Sequence, residues 1–308
     1  MPGRWAACVG EDGPDPEDLH ILIRGNPHAR GKAVTPGFPG VFRESEPLMP
    51  SPYGLEESSG RCRQLAEWIA SPANPMTARV MVNRAWQYHF GRGIVSSSNN
   101  FGANGRPPAH PELLDWLASE FVRSGWRLKS LHKIILRSKT YQMSSRGDPD
   151  GLAKDPANAL HWRFDMRRLT AEEVRDSLIN TSGTLNAKMF GPGIYPPMPE
   201  EVLATSSKQQ EIVASGIWGV SSPEGSARRS VYIHVKRSLL TPLLTDFDFA
   251  DTDASYPVRF STTQSTQALG MLNSEFAHQQ ADLLAVRVRE EVGGDAEAQV
   301  RRVLELVA

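Results

Sequence analysis

Three polar side chains recur every fourth residue inside a run that is otherwise apolar. Arg79, Asn83 and Gln87 fall on one face of the helix expected over 75–90, with Trp86 and Phe90 beside them. A guanidinium and two carboxamides on one face suit a pocket that grips a polar ligand. Val80, Met81, Val82 and Ala85 flank this face, so the helix reads as apolar nearly all round and packed deep. A buried polar group left unpaired costs about 1–3 kcal/mol. The same residues therefore also fit a structural network, with Arg79 meeting a carboxylate such as Asp115 or Glu112. His89 and His110 are candidate ligands or proton carriers. His110 stands directly before Pro111, which suggests that it caps the next helix or orders the loop 96–108.

A second constellation is acidic. Asp246, Asp248, Asp251 and Asp253 crowd between Leu244 and Tyr256, and oxygen-rich loops of this kind can hold calcium. No glycine stands at the sharp-turn position and no glutamate closes the loop, so the order of an EF-hand is missing. Helix capping and pairing with Arg228, Arg229, Lys236, Arg237 or Arg259 are the expected uses. The candidate ligand-binding set is Arg79, Asn83, Gln87, His110, Asp248 and Asp251, placed where the 75–90 helix would meet the acidic loop. No metal ion and no cofactor are expected.

Familiar catalytic templates do not fit. There is no Gly-x-Ser-x-Gly elbow, and no paired histidines stand at zinc-ligand spacing. Gly191-Pro192-Gly193 lacks both the third glycine and the preceding strand of a dinucleotide fingerprint. Glu172 and Glu173 point to different helix faces and make no glycosidase pair. Of the tryptophans, Trp68, Trp86 and Trp116 read as core, and Trp218 as exposed.

The elements that must position these groups are mostly helices. Asn74-Pro75 opens the 75–90 helix and Gly91 stops it. Pro111 opens a helix with Leu113, Leu114, Leu117, Phe121 and Val122 on its apolar face, ended by Gly125. Leu131 to Leu136 belongs to a helix reaching about Tyr141. Thr170 and Glu173 form a capping box. A long helix is expected from Ser265 to Glu290, then another from Ala296. Leu65, Trp68 and Ile69 share a face of a helix that starts near Arg61. Two short runs look like strands, His20–Arg24 and Ser230–Lys236, and could pair with each other. Residues 1–60 read as a Pro/Gly-rich lead-in with one short strand, and 61–308 as a helical domain whose C-terminus looks truncated.

Composition narrows the function classes. The chain has 308 residues, a formal net charge of −1 and 40% hydrophobic content, values ordinary for a globular protein. Near-neutral charge argues against a general grip on nucleic acid. That reading would need Arg167, Arg168, Arg228, Arg229, Lys236 and Arg237 on one exposed face. No run is long and apolar enough for a membrane span, and Met1–Gly10 lacks the apolar core of a signal peptide. Cys8 and Cys62 form no metal cluster and no haem-attachment pair.

Several segments together resemble a family of domains of unknown function found at the C-terminal end of large planctomycete proteins. They are ILIRGNPHARGKAVTPGFP (21–39), LAEWIASPANPMTARVMVNRAWQYHFGRGIV (65–95), HPELLDWLASEFVRSGWRLKSLHKIILRSKTY (110–141), RRLTAEEVRDSLI (167–179), RRSVYIHVKRS (228–238) and FDFADTDASYPVRFSTTQSTQALGMLNSEF (247–276). The resemblance implies an extracytoplasmic setting, with the other domains of a parent protein, and often a cytochrome c module, as partners. It supplies no catalytic residues. The expectation is a mainly α, compact multi-helix domain with a minor two-stranded β element and long irregular loops. Its expected role is structural or interactive within a larger protein. The alternative is an enzyme or binding domain acting on a carbohydrate-type polymer.

Overall fold

The computed structural model describes residues 13–14, 17, 19–42, 58–199, 202–203, 219–236 and 239–307. The architecture is mainly α, with one two-stranded antiparallel sheet among the described residues. The chain divides into two compact units, Met1–Asp165 and Met166–Ala308.

The first unit begins with strands β1 (Leu19–Leu22) and β2 (Arg30–Val34), which pair as a hairpin in the register Leu19↔Val34 and His20↔Ala33. The expected pairing of 21–24 with 230–236 does not form. Gly25 and Arg24 both take positive φ, and the Ile23 amide closes the turn on the Ala29 carbonyl at 2.9 Å. A short loop closes with less entropy loss than a pairing two hundred residues away. The second run is a 3-10 turn over Ser230–Tyr232. Its first amide is already taken by the Asp176 carboxylate at 2.7 Å, and the run makes isolated bridges, Ile194↔Ile233 and Lys236↔Leu239, in place of a ladder.

Five helices follow: α1 (Arg61–Ala70), α2 (Thr77–Phe90), α3 (Pro111–Arg123), α4 (Leu128–Leu136) and α5 (Pro149–Lys154). Helix α1 buries none of its residues: Leu65 and Ile69 are exposed, and Trp68 is half-buried, stacked 4.8 Å from Phe38. Asn74 performs the expected capping task by accepting from the Met76 and Thr77 amides. Gly91 ends α2 in the left-handed region at φ 76°, where only glycine is unstrained. Helix α4 stops at Leu136, short of Tyr141, because turn residues with Ser138 folded back onto the Ile135 carbonyl take over. The core unites α2, α3 and α4 through Val82, Trp86, Phe90, Leu114, Leu117, Phe121, Leu131 and Ile135. Ile94 and Val95, from the loop after α2, complete it.

Two readings of helix faces need correcting. Helix α2 is not packed deep all round, since Met81 and Tyr88 face solvent. Trp116 is 51% exposed and outside the core. Leu114, Leu117, Ala118 and Phe121 define the buried side of α3, and position 116 lies roughly 200° around the helix from 114.

The second unit holds α6 (Ala171–Thr181), α7 (Pro223–Ser226), α8 (Pro242–Asp246), α9 (Ser265–Asn273), α10 (Glu275–Val292) and α11 (Ala296–Val307). Thr170 and Glu173 form the expected capping box on α6. The helix expected over 265–290 is broken at Ser274, whose extended backbone and hydroxyl make it the N-cap of α10. Helix α6 packs on α8 and α10, and Ala171, Ile194, Ile233 and Leu244 form a small core with Phe247 and Phe249. From α10, the Arg287 guanidinium donates to the carbonyls of Thr181 at 2.7 Å and Asn180 at 3.3 Å, closing the end of α6.

One tight spot in the first unit is Gly93. A Cβ there would lie 2.6 Å from Asn83 Nδ2 and 2.7 Å from the Val95 carbonyl oxygen. Gly93→Ala is expected to lower unfolding stability by about 1–3 kcal/mol, the usual cost of overpacking. Gly294, with nothing within 4 Å of such an atom, is the neutral control. Urea denaturation of both variants checks it.

Candidate functional site

Helix α2 fastens the first unit together with its i, i+4, i+8 polar row. Arg79, at the start, donates from Nε to Asp115 on α3 at 2.7 Å and also reaches the Pro75 carbonyl. That guanidinium holds the Asp115 carboxyl below its ordinary range. Asn83, one turn on, is completely buried. Its Nδ2 donates to the Val95 carbonyl at 3.0 Å, and its Oδ1 accepts the Val95 amide at 2.8 Å. One carboxamide thus pairs with both polar groups of one residue, as a neighbouring strand would. Gln87, a further turn on, accepts from the Ser98 hydroxyl through Oε1. The row therefore runs from a neighbouring helix to the loop that follows α2.

The histidines follow the same logic. His110 makes no cap bond with its side chain; its ring meets the Leu160 carbonyl at 3.2 Å instead. His89, on α2, meets His132, on α4, at 2.8 Å between ring nitrogens. His161, which sequence reasoning did not single out, is buried against Trp86 and Phe90. The Trp86 indole donates to His161 Nε2 at 3.3 Å. An indole N–H is only a donor, so that nitrogen must be unprotonated, and the ring's proton sits on Nδ1 when it is neutral. Burial first, then the nearby His110 and Arg92, push the His161 pKa below its ordinary value.

In the second unit Asp248 occupies the left-handed region at φ 58°. Its carboxylate accepts from Arg168 at 2.6 Å, from the Thr262 amide at 2.8 Å and from the Thr262 hydroxyl. Burial alone would raise this carboxyl, but the Thr262 and Arg168 donors outweigh it and hold it low. The partner is Arg168, not one of the five cations expected from sequence. Arg259 instead forks onto Glu172, and Arg229 lies 3.8 Å from Asp176. Asp251 caps its own loop, accepting the Asp253 amide at 2.8 Å and the Tyr256 hydroxyl at 3.3 Å. Burial raises the Asp246 carboxyl above its ordinary value.

Two buried arginines form the polar centre of this unit. Arg175 donates to the carbonyls of Ser226 and Arg228 and to the Ser230 hydroxyl, and burial draws it down to about 10. Arg228 donates to the carbonyls of Lys188, Phe190 and Pro192, with its guanidinium 3.8 Å from the Tyr232 ring centre. Sequence carried a signal for the first: Ala171, Arg175 and Ile179 follow one another at i, i+4, i+8 on the buried stripe of α6. Three of the cations considered for a nucleic-acid face are engaged within the protein. Arg228 is buried, and Arg167 and Arg168 are committed to Glu173 and Asp248. Arg237 and Trp218 lie outside the described residues.

Chemically, Arg79, Asn83, Gln87, His110, Asp248 and Asp251 each meet protein partners. Arg79, Asn83, Gln87 and His110 belong to the first unit, and Asp248 and Asp251 to the second. Among the described residues no three or more His, Cys, Asp or Glu side chains are grouped to hold a metal ion. A shallow cleft of about 310 Å³ is lined by Val292, Asp295, Glu297, Arg301, Arg302 and Glu305, and contains none of the candidates.

A family model described as PSD1, protein of unknown function (DUF1553), matches residues 61–308. No curated protein and no solved structure matches the chain.

Two outcomes follow from these bonds. Asn83→Ala strands a buried amide and a buried carbonyl of Val95, so stability should drop by about 2–4 kcal/mol in urea denaturation. A ligand-gripping Asn83 held only loosely by the protein would give a change near zero. The second outcome concerns pH. The unfolded His161 ring takes up a proton near 6.5 and the folded ring only at lower pH. In that window the unfolded state binds more protons, so stability present above 6.5 is lost as pH falls through it. His161→Gln keeps an acceptor for Trp86 and should flatten this part of the slope between about pH 7.5 and about pH 5.5.

Proposed function

The chain belongs to the PSD1 family of proteins of unknown function, DUF1553, and we propose that it serves there as a non-catalytic interaction domain of a larger extracytoplasmic protein. The observation that carries this reading is the use of polar groups. Every member of the candidate set is bound to protein groups, and the most deeply buried one, Asn83, has both its polar atoms bonded to Val95. A reacting centre needs groups aimed at the place where charge develops, whereas these are aimed at helices and loops. The partners proposed are the parent protein's other domains, including a c-type cytochrome module, as the sequence resemblance implies. No described helix is long and apolar enough to cross a membrane.

A second reading has one observation in its favour. Trp116 presents a half-exposed indole on α3, and an aromatic face of that kind can stack on a sugar ring. Under this reading the domain binds a carbohydrate-type polymer.

The test expresses the parent protein's remaining domains and this chain separately. The interaction reading expects the two to associate with a dissociation constant of about 1–100 μM, the range of a modest interdomain interface. It also expects no reducing ends to be released from a panel of polysaccharides. Polymer cleavage by the chain alone would overturn the non-catalytic reading. Retardation on a polysaccharide gel that Trp116→Ala abolishes would favour the second.

A further inference from the structure

We propose that the hairpin β1–β2 is a docking edge for an extended, acidic segment of a partner protein, which adds to it as a third strand beside β2. The proposal rests on the reading of the chain as an interaction domain and names the chemistry of one partner.

The strands of the hairpin pair only with each other among the described residues. Leu19, Ile21, Leu22 and Ile23 are all exposed, Leu19 to 69%. A lone two-stranded ribbon is marginally stable in water, and proteins usually blunt such an edge with proline, charge or a covering element. Here β2 carries no proline, and its two charges, Arg30 and Lys32, are both cationic, which repels a like-charged strand but admits an acidic one. Such an edge is a template for strand addition.

Charge selects the occupant. From residue 19 to 42 there is no Asp or Glu, while Arg24, Arg30 and Lys32 are all present. Along β2, Arg30 and Lys32 are two residues apart and so project from the same face. Gly31 and Ala33 project from the other face, where the space beside Gly31 is already taken by Ile21 and Ile23 across the hairpin. An incoming strand that alternates acidic with apolar residues would set carboxylates beside Arg30 and Lys32. Opposite charges across a strand pair stabilise it, and like charges destabilise it. A second copy of this hairpin would bring two sets of cations together and is disfavoured on that ground. A lipid surface would leave the outer peptide groups of the edge without partners, which hydrocarbon does not tolerate.

The experiment titrates a fluorescein-labelled peptide of alternating glutamate and valine with the whole 308-residue chain, and reads anisotropy. The same peptide with lysine for glutamate is the comparison. Expected is saturable binding of the glutamate peptide, about tenfold tighter than the lysine peptide and weakened by added salt. The double variant Arg30→Glu, Lys32→Glu alters exposed positions and should invert the preference, which a merely structural role for these residues would not do. Equal binding of the two peptides, or none, would overturn the proposal. So would binding confined to phosphatidylserine vesicles, or concentration-dependent self-association removed by the double variant. If the peptide fails while the parent's other domains still bind the chain, the docking edge falls and the interaction role stands. If neither binds, both fall.

Discussion

The first unit depends on the pairing of one side-chain amide with the backbone N–H and C=O of one residue. Asn83 is fully enclosed and its two polar atoms are matched to the two polar atoms of Val95. This match allows the backbone after α2 to turn into the core without stranding an amide or a carbonyl, which buried chain must always avoid. With Val95 held, Ile94 and Val95 can insert their side chains beside Val82, Trp86 and Leu117. Gly93 is required for the same reason, because any side chain there would occupy the space of the carboxamide. Arg79 and Gln87 extend the line of attachment to α3 and to Ser98.

The second unit solves the same problem with arginine. Its apolar core is small, and much of its irregular backbone has no sheet to pair with. Arg228 gathers three carbonyls from the segment 188–192, and Arg175 gathers two more together with a hydroxyl. A guanidinium suits this work because its five donors lie in a fixed plane and its charge survives burial. Buried cations in this unit are therefore scaffolding for loops that carry no regular structure.

Much of the architecture was legible in sequence because it depends on local chemistry. The capping box at Thr170, the stop at Gly91, the start at Pro111 and the mainly α class all follow from residues within a turn of the feature they create. Arg79 facing Asp115 was among the pairings that sequence suggested, since a guanidinium next to a carboxylate-bearing helix finds its natural partner there. What could not be read were non-local competitions. The run 230–236 has a strand's alternation, yet Asp176 takes its first amide. Asp248 could have met any of several arginines, and only the folded chain brings Arg168 to it. His161 gave no signal, because its burial comes from a turn at positive φ that no periodicity marks.

The contact of Arg287 with the last carbonyls of α6 ties two helices that are distant in sequence. A helix terminus ordinarily frays first, since its final carbonyls lack partners within the helix. Here that terminus cannot loosen without detaching the middle of α10. Amide protons near Ile179 and those around Arg287 should thus exchange with solvent together, as one cooperative block whose opening is sub-global instead of local.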